Sequence, residues 1–186
     1  MTGAHNLMNS LAASAVATAL KVKPELIANA LRSVKPPKMR GEVLNFAAGF
    51  TVVDDSYNSN PRSLLSMVHT VAEARDQVKR RIVIAGEMLE LGPESPQMHR
   101  EAGHEIAQLG IDLLWGVRGL AAEIVAGARE AGSTATRFFE NSDEAAAAVI
   151  EEVRTGDLVL VKGSRSVETD KVVKALRERF PIAANK

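Results

Sequence analysis

The chain has 186 residues, 46% of them hydrophobic, 23 basic and 23 acidic side chains, and no cysteine. That length suits one large domain, alone or with an appendage, and a net charge of zero leaves no electrostatic footprint for nucleic acid or an anionic membrane. The missing cysteines exclude a disulfide framework and thiolate chemistry, no apolar run approaches the roughly 18 residues of a membrane span, and the N-terminus lacks a signal-peptide pattern, so a cytoplasmic protein is expected.

Residues 5–20 place Leu7, Met8, Leu11, Ala12, Ala15, Val16, Ala19 and Leu20 at helical spacing. A second short helix follows, with Pro24 in its first turn and Leu26, Ile27, Ala30 and Leu31 on one face. Two short helices cannot enclose a core, so residues 1–35 must pack on something else. Lys35-Pro36-Pro37-Lys38 is stiff and charged, and residues 36–41 read as a linker.

From residue 42 to 186 the pattern changes. Short apolar runs alternate with amphipathic segments, the signature of βαβ units and a mostly parallel, doubly wound, Rossmann-like α/β sheet. Strands are predicted at Glu42–Ala47, Phe50–Val53, Arg81–Ala85, Asp112–Gly116, Thr136–Phe139 and Asp157–Val161. Helices are predicted from Pro61 to about Val78, Ser95 to Leu109, Leu120 to Ala131, Ser142 to about Arg154, and from just after Gly163-Ser164-Arg165-Ser166 to about Arg179.

In such a fold the strand-to-helix loops share one edge of the sheet, where ligands bind. Three of them carry chemistry. Asp54-Asp55-Ser56-Tyr57-Asn58-Ser59-Asn60 is denser in polar groups than a turn requires, although Asn60 before Pro61 also reads as a plain helix cap. Gly86-Glu87-Met88-Leu89-Glu90-Leu91-Gly92 brings Glu87 and Glu90 close together if it is helical; it is either a cation or ammonium site or a solvated acidic turn. Lys162-Gly163-Ser164-Arg165-Ser166 is basic and precedes a helix, which suits a carboxylate or phosphate, or else an ordinary turn with a serine cap. The four histidines form no metal-ligand motif, and neither a phosphate-cradling Gly-x-x-x-x-Gly-Lys-[Ser/Thr] loop nor a Gly-x-Gly-x-x-Gly fingerprint occurs.

Four blocks together resemble the Mur ligase family, in the form taken by its dipeptide-adding members. Asp54 to Pro61 is similar to the family's Asp-Asp-Ser-Tyr-Asn-Ala-Asn-Pro, Gly86 to Gly92 with His99 to Gly-Asp-Met-x-Glu-Leu-Gly…His, and Lys162 to Ser166 to Lys-Gly-Ser-Arg-Ser. Gly3-Ala4-His5-Asn6 with Asn9 resembles the Gly-x-His-Asn-x-x-Asn segment near the end of the family's central ATPase domain. Ser59 stands where the family usually has alanine, Glu87 where it has aspartate, and Met39-Arg40 where some members have Gly-Arg.

The resemblance implies an ATP-dependent amide ligase of peptidoglycan precursor synthesis, joining D-alanyl-D-alanine to UDP-N-acetylmuramoyl-tripeptide. It implies that residues 1–35 are the helical end of the central domain and 42–186 the C-terminal ligase domain. The uridine site, the phosphate loop and the Mg ligands would then lie in upstream domains of the same protein, leaving this chain inactive alone and without metal ligands of its own. By the same resemblance Asn6 and Asn9 sit near the adenine, and Arg40 and Asp55 reach the ribose and phosphates on closure. Tyr57, Asn58 and Asn60 line the reaction side of the Asp55 loop, and Lys162, Ser164 and Arg165 receive the incoming dipeptide. The competing expectation is a stand-alone α/β module that binds a nucleotide or small zwitterion without catalysis.

Overall fold

The computed structural model describes residues 4–34, 38–133 and 135–184, with the side chains of residues 4–6 outside the description. The chain forms two compact units, Met1–Pro37 and Lys38–Lys186. In the first, α1 (Ala4–Ala19) and α2 (Pro24–Ser33) are joined by a turn at Lys21, whose φ is +60°. Pro24 opens α2, where its missing N–H costs no helical hydrogen bond, and Arg32 sits in the last turn, where a cation suits the helix dipole. No side chain of α2 is buried, and Leu7, Met8, Leu11, Val16, Leu20 and Leu26 are each more than half exposed.

The second unit runs β1 (Glu42–Asn45), β2 (Thr51–Asp55), α3 (Pro61–Glu73), β3 (Arg80–Gly86), α4 (Ser95–Gln108), β4 (Leu113–Val117), α5 (Ala121–Glu130), β5 (Thr136–Phe139), α6 (Ser142–Glu152), β6 (Asp157–Lys162) and α7 (Asp170–Arg179). The six strands form one sheet in the order β1-β2-β6-β3-β4-β5; only the β1–β2 pair is antiparallel. The mostly parallel α/β sheet with preceding helices is thus the architecture that the apolar periodicity predicts.

One core lies under α3, α4 and α5, built from Leu64, Val68, Ile106, Ile124 and the inward side chains Val83 and Leu160. The other lies under α6 and α7, with Val149, Val172 and Leu176 against Val52, Ile84 and Trp115. Strands buried on both faces read as continuous apolar runs, which is why β3 and β6 were visible in the sequence. The chain steps from β2 through β3 and β4 to β5 with its helices on one face. It then returns to insert β6 between β2 and β3, and α6 and α7 cover the other face.

The packing of α4 on α5 is unusually close. A methyl group built on Gly103 would stand 2.0 Å from the Ile124 carbonyl oxygen, and one on Gly127 would stand 2.1 Å from that of Arg100.

Two boundaries differ from the sequence expectation by more than two residues. Helix α3 stops at Glu73, where residues 74–77 turn and the Arg81 guanidinium comes within 3.5 Å of the Ala72 carbonyl. The last helix does not follow directly on Ser166. A single 3-10 turn, Arg165–Val167, intervenes, Glu168 takes a left-handed φ of +59°, and α7 begins only at Asp170. Burial of Val167, whose carbonyl accepts from Ser142 Oγ at 2.6 Å, holds that detour in place.

Candidate functional site

Because β6 lies between β2 and β3 while its helix covers the opposite face, the carboxyl ends of β2, β6 and β3 form a topological switch point. The three polar loops leave the sheet there, side by side.

The loop after β2 is shaped by its own carboxylates. Asp54 is buried and accepts from Ser56 Oγ at 2.5 Å and Ser56 N at 3.2 Å. Burial pushes its carboxyl pKa up, and Glu42, its partner across the β1–β2 pair, adds to that; the Ser56 bonds and Arg177 pull the other way. Asp55 faces Lys162 in the parallel β2–β6 register. The buried Lys162 Nζ donates to Asp55 Oδ2 at 2.6 Å and to the Asn58 carbonyl at 2.7 Å. Asn58 Oδ1 accepts from Ser59 N, and Asn60 caps α3 in a reciprocal capping box with Ser63. The Ser59 hydroxyl is buried with no partner among the described residues.

Arg40 and Tyr57 meet at the same edge. The Arg40 guanidinium lies 4.2 Å from the centre of the Tyr57 ring, and Tyr57 N donates to the Met39 carbonyl at 3.2 Å. Met39 holds a left-handed φ of +62°, which turns Arg40 onto the ring. The pair stays open: Tyr57 is 44% exposed and Arg40 is exposed.

The loops after β3 and β6 are laced together. Ser164 is buried; its Oγ accepts from Leu89 N at 3.0 Å, and its N donates to the Glu87 carbonyl at 3.2 Å. Gly86 and Gly163 allow this approach, since a methyl group on either would fall within 2.8 Å of Thr169 Cγ2. His99, fully buried, accepts from Met88 N at its Nε2 (2.9 Å) while its Nδ1 lies 2.7 Å from the Ser95 carbonyl. The Ser95 bond requires a proton on Nδ1, and the Met88 bond a lone pair on Nε2, so the network assigns this neutral tautomer.

Segment 87–91 is not helical, so Glu87 and Glu90 do not form the expected pair. Glu87 instead accepts from Leu120 N at 3.0 Å and thus occupies the electropositive start of α5. Arg165 is exposed and pairs with Asp170 at 3.0 Å, while Arg118, with a left-handed φ of +69°, donates to the Ser166 carbonyl at 2.5 Å.

Residues 39–165 match the family described as Mur ligase, glutamate ligase domain. The chain belongs to the Mur ligase family. It is similar to the UDP-N-acetylmuramoyl-tripeptide--D-alanyl-D-alanine ligase of Bacillus subtilis (strain 168), at 30% identity over 177 residues that make up 95% of this chain and 38% of that protein. The crystal structure of MurF from Acinetobacter baumannii superposes with a TM-score of 0.82 at 31% identity, covering 96% of this chain and 39% of that one. MurF from Thermotoga maritima, solved in complex with ADP, shares the fold, with a TM-score of 0.77 at 23% identity over 96% of this chain and 39% of that one. The chain therefore spans under two fifths of the length of these relatives.

Within this Mur ligase domain the candidate residues divide clearly. Asp55, Asn58 and Lys162 form one hydrogen-bonded cluster, and Arg40 and Tyr57 form a second contact on the same loop. Asn60 is engaged in the cap of α3, and Ser164 in the tie to the β3 loop. Asn9 is exposed on α1 in the first unit, and the side chain of Asn6 lies outside the described residues. Among the described residues no group of three or more His, Asp or Glu could hold a metal ion, and no helix is long and apolar enough to cross a membrane. Sequence reasoning missed Arg118, which carried no motif. His99 reads as a polar residue near a helix start, whereas it is fully buried and tied to Met88 N, a partner its neighbours do not encode.

Proposed function

We propose that this chain is part of an ATP-dependent amide ligase that joins D-alanyl-D-alanine to UDP-N-acetylmuramoyl-tripeptide in peptidoglycan precursor synthesis. One observation carries the reading. The Asp54–Pro61 signature leaves β2 at the switch point directly beside Lys162-Gly163-Ser164-Arg165-Ser166, and the two segments are bonded to each other through Asp55 and Lys162. Relatives named for that reaction align with nearly the whole chain, which supports the choice of substrates. ADP in a related structure supports the nucleotide.

The reaction phosphorylates the tripeptide carboxylate from ATP; the dipeptide amine then attacks the acyl phosphate, forming the amide bond as phosphate leaves. ATP with Mg supplies the activating phosphoryl group and the metal charge that offsets it. The residues of this chain fit the rim of such a nucleotide site, not its cradle. They present an exposed guanidinium and the Asp55 carboxylate, whereas the start of α3 is filled by Asn60 and that of α5 by Glu87. The phosphate cradle and the metal ligands belong to the rest of the protein.

The domain acts by position and charge. Stacking on Tyr57 keeps Arg40 at the edge of the Asp55 loop, ready to meet the ribose and phosphate region of the nucleotide together with Asp55. Tyr57, Asn58 and Asn60 shape the loop facing the reacting carboxylate. Arg165, the exposed cation of the β6 loop, is suited to the dipeptide carboxylate, and Ser164 holds that loop in place. The test is product formation. Full-length protein given ATP, Mg, UDP-N-acetylmuramoyl-tripeptide and D-alanyl-D-alanine is expected to yield the pentapeptide by mass spectrometry, and the 186-residue chain alone is expected to yield none. Product from the chain alone, or none from folded full-length protein, would contradict the reading.

A further inference from the structure

We propose that Lys162 is a positioning and charge-compensating residue for Asp55 and does not bind the incoming dipeptide. The inference rests on the ligase reading above and deepens it.

The side chain of Lys162 is 3% exposed, so its ammonium is not presented to solvent at the loop surface. An ammonium so buried is stable only when paired and hydrogen-bonded. Its two acceptors, Asp55 Oδ2 at 2.6 Å and the Asn58 carbonyl at 2.7 Å, lie at the two ends of one turn. A single buried cation therefore closes the loop that carries Asp55, Tyr57 and Asn58. The pairing is fixed by register: Asp55 and Lys162 are opposite residues of the parallel β2–β6 pair and are the last residue of each strand.

The arrangement meets an electrostatic difficulty. A carboxylate at the rim of a triphosphate site repels the ligand it is meant to receive. Lys162 offsets that charge from beneath and takes one oxygen. Asp55 Oδ1 has no hydrogen-bond partner among the described residues, and Asp55 remains 17% exposed. The carboxylate is thereby oriented with one acceptor toward the ligand and little net charge. Direct binding of the dipeptide by Lys162 would require leaving Asp55 unpaired, whereas Arg165 already stands exposed in the same loop.

The test uses the full-length protein and the variants Lys162→Met, Asp55→Asn and the double variant. Steady-state KM is measured for ATP and for D-alanyl-D-alanine, and hydrogen exchange is followed in the peptide covering residues 54–60. For Lys162→Met we expect the KM for ATP to rise by about tenfold or more while that for the dipeptide stays within about twofold. Exchange at 54–60 should quicken while 86–92 is unchanged. The double variant should match Asp55→Asn in its KM for ATP, because Lys162 acts on ATP binding only through the Asp55 carboxylate.

A rise confined to the KM of the dipeptide, or effects on the KM for ATP that multiply, would overturn the proposal. If Lys162→Met does not fold, the double variant compared with Asp55→Asn decides by the same criterion. If wild-type protein shows no dipeptide-dependent turnover, the ligase reading fails. The exchange measurement then stands alone, and unchanged protection at 54–60 would overturn the role of Lys162 as a clamp.

Discussion

Replacing Gly103 with alanine sets two physical arguments against each other. Alanine is the better helix former, worth about 1 kcal/mol in a helix interior. Gly103 lies within α4, but a methyl group there would stand 2.0 Å from the Ile124 carbonyl oxygen and 2.9 Å from Ala128 N. A Cβ atom essentially never comes within 3.0 Å of a neighbour, so α4 and α5 would have to part by roughly 1 Å, and a gap of that size forfeits a quarter to a half of each dispersion contact it opens. The interface at stake includes Ala102, Ile106, Ile124 and Ala128, all buried. Overpacking of this kind costs about 3 kcal/mol, which leaves a net loss of about 2 kcal/mol after the propensity gain. In a chain of this size that lowers Tm by about 4–8 °C. Urea denaturation followed by circular dichroism measures it, with an unchanged m value as the control for two-state unfolding. Gly127→Ala strikes the same interface from the other side, so the double variant should lose less than the sum of the two. A Gly103→Ala midpoint at or above wild type would refute the close-packing argument.

Four other outcomes are expected. His99→Leu should lose about 2–3 kcal/mol in the same denaturation assay, because it leaves the buried Met88 N–H without its acceptor, and His99→Gln should lose less. Ser59→Ala should be neutral or stabilising by up to about 1 kcal/mol, since the hydroxyl it removes is buried with no partner among the described residues. Asp54→Asn keeps an acceptor for Ser56 and removes a charge whose pKa burial raises. The folded acid binds its proton more tightly than the unfolded one, so wild type loses stability as pH rises above about 3.8, and the advantage of Asp54→Asn should grow over that range and vanish below it in urea titrations against pH. In the full-length protein, assayed for the proposed ligase activity, Asp55→Ala should lower kcat/KM more than Glu87→Ala, because Asp55 faces the proposed nucleotide while Glu87 caps α5; equal or reversed losses would refute that ranking.

Much of the fold was legible because its strands are buried on both faces. Ile82 to Ala85 and Leu158 to Val161 cannot be read as amphipathic helix, and they fall at the middle of the sheet. The three site loops were legible as polar runs at strand ends. What they do to one another was not. Lys162 reads as a cation of an anion-binding loop, yet strand register buries it against Asp55. Ser164 reads as a helix cap, but burial of Val167 delays α7 to Asp170 and turns the hydroxyl to Leu89 N. Glu87 reads as half of an acidic pair, but the start of α5, more than 30 residues away in sequence, claims it. Each miss is a long-range pairing, which local periodicity does not encode.

This domain is proposed to complete a site for dipeptide-dependent amide synthesis from ATP. Phosphate release by the full-length protein, measured with UDP-N-acetylmuramoyl-tripeptide and with or without D-alanyl-D-alanine, tests it most directly. The account predicts release that requires both substrates. Release indifferent to the dipeptide, or none from a folded protein, would contradict it.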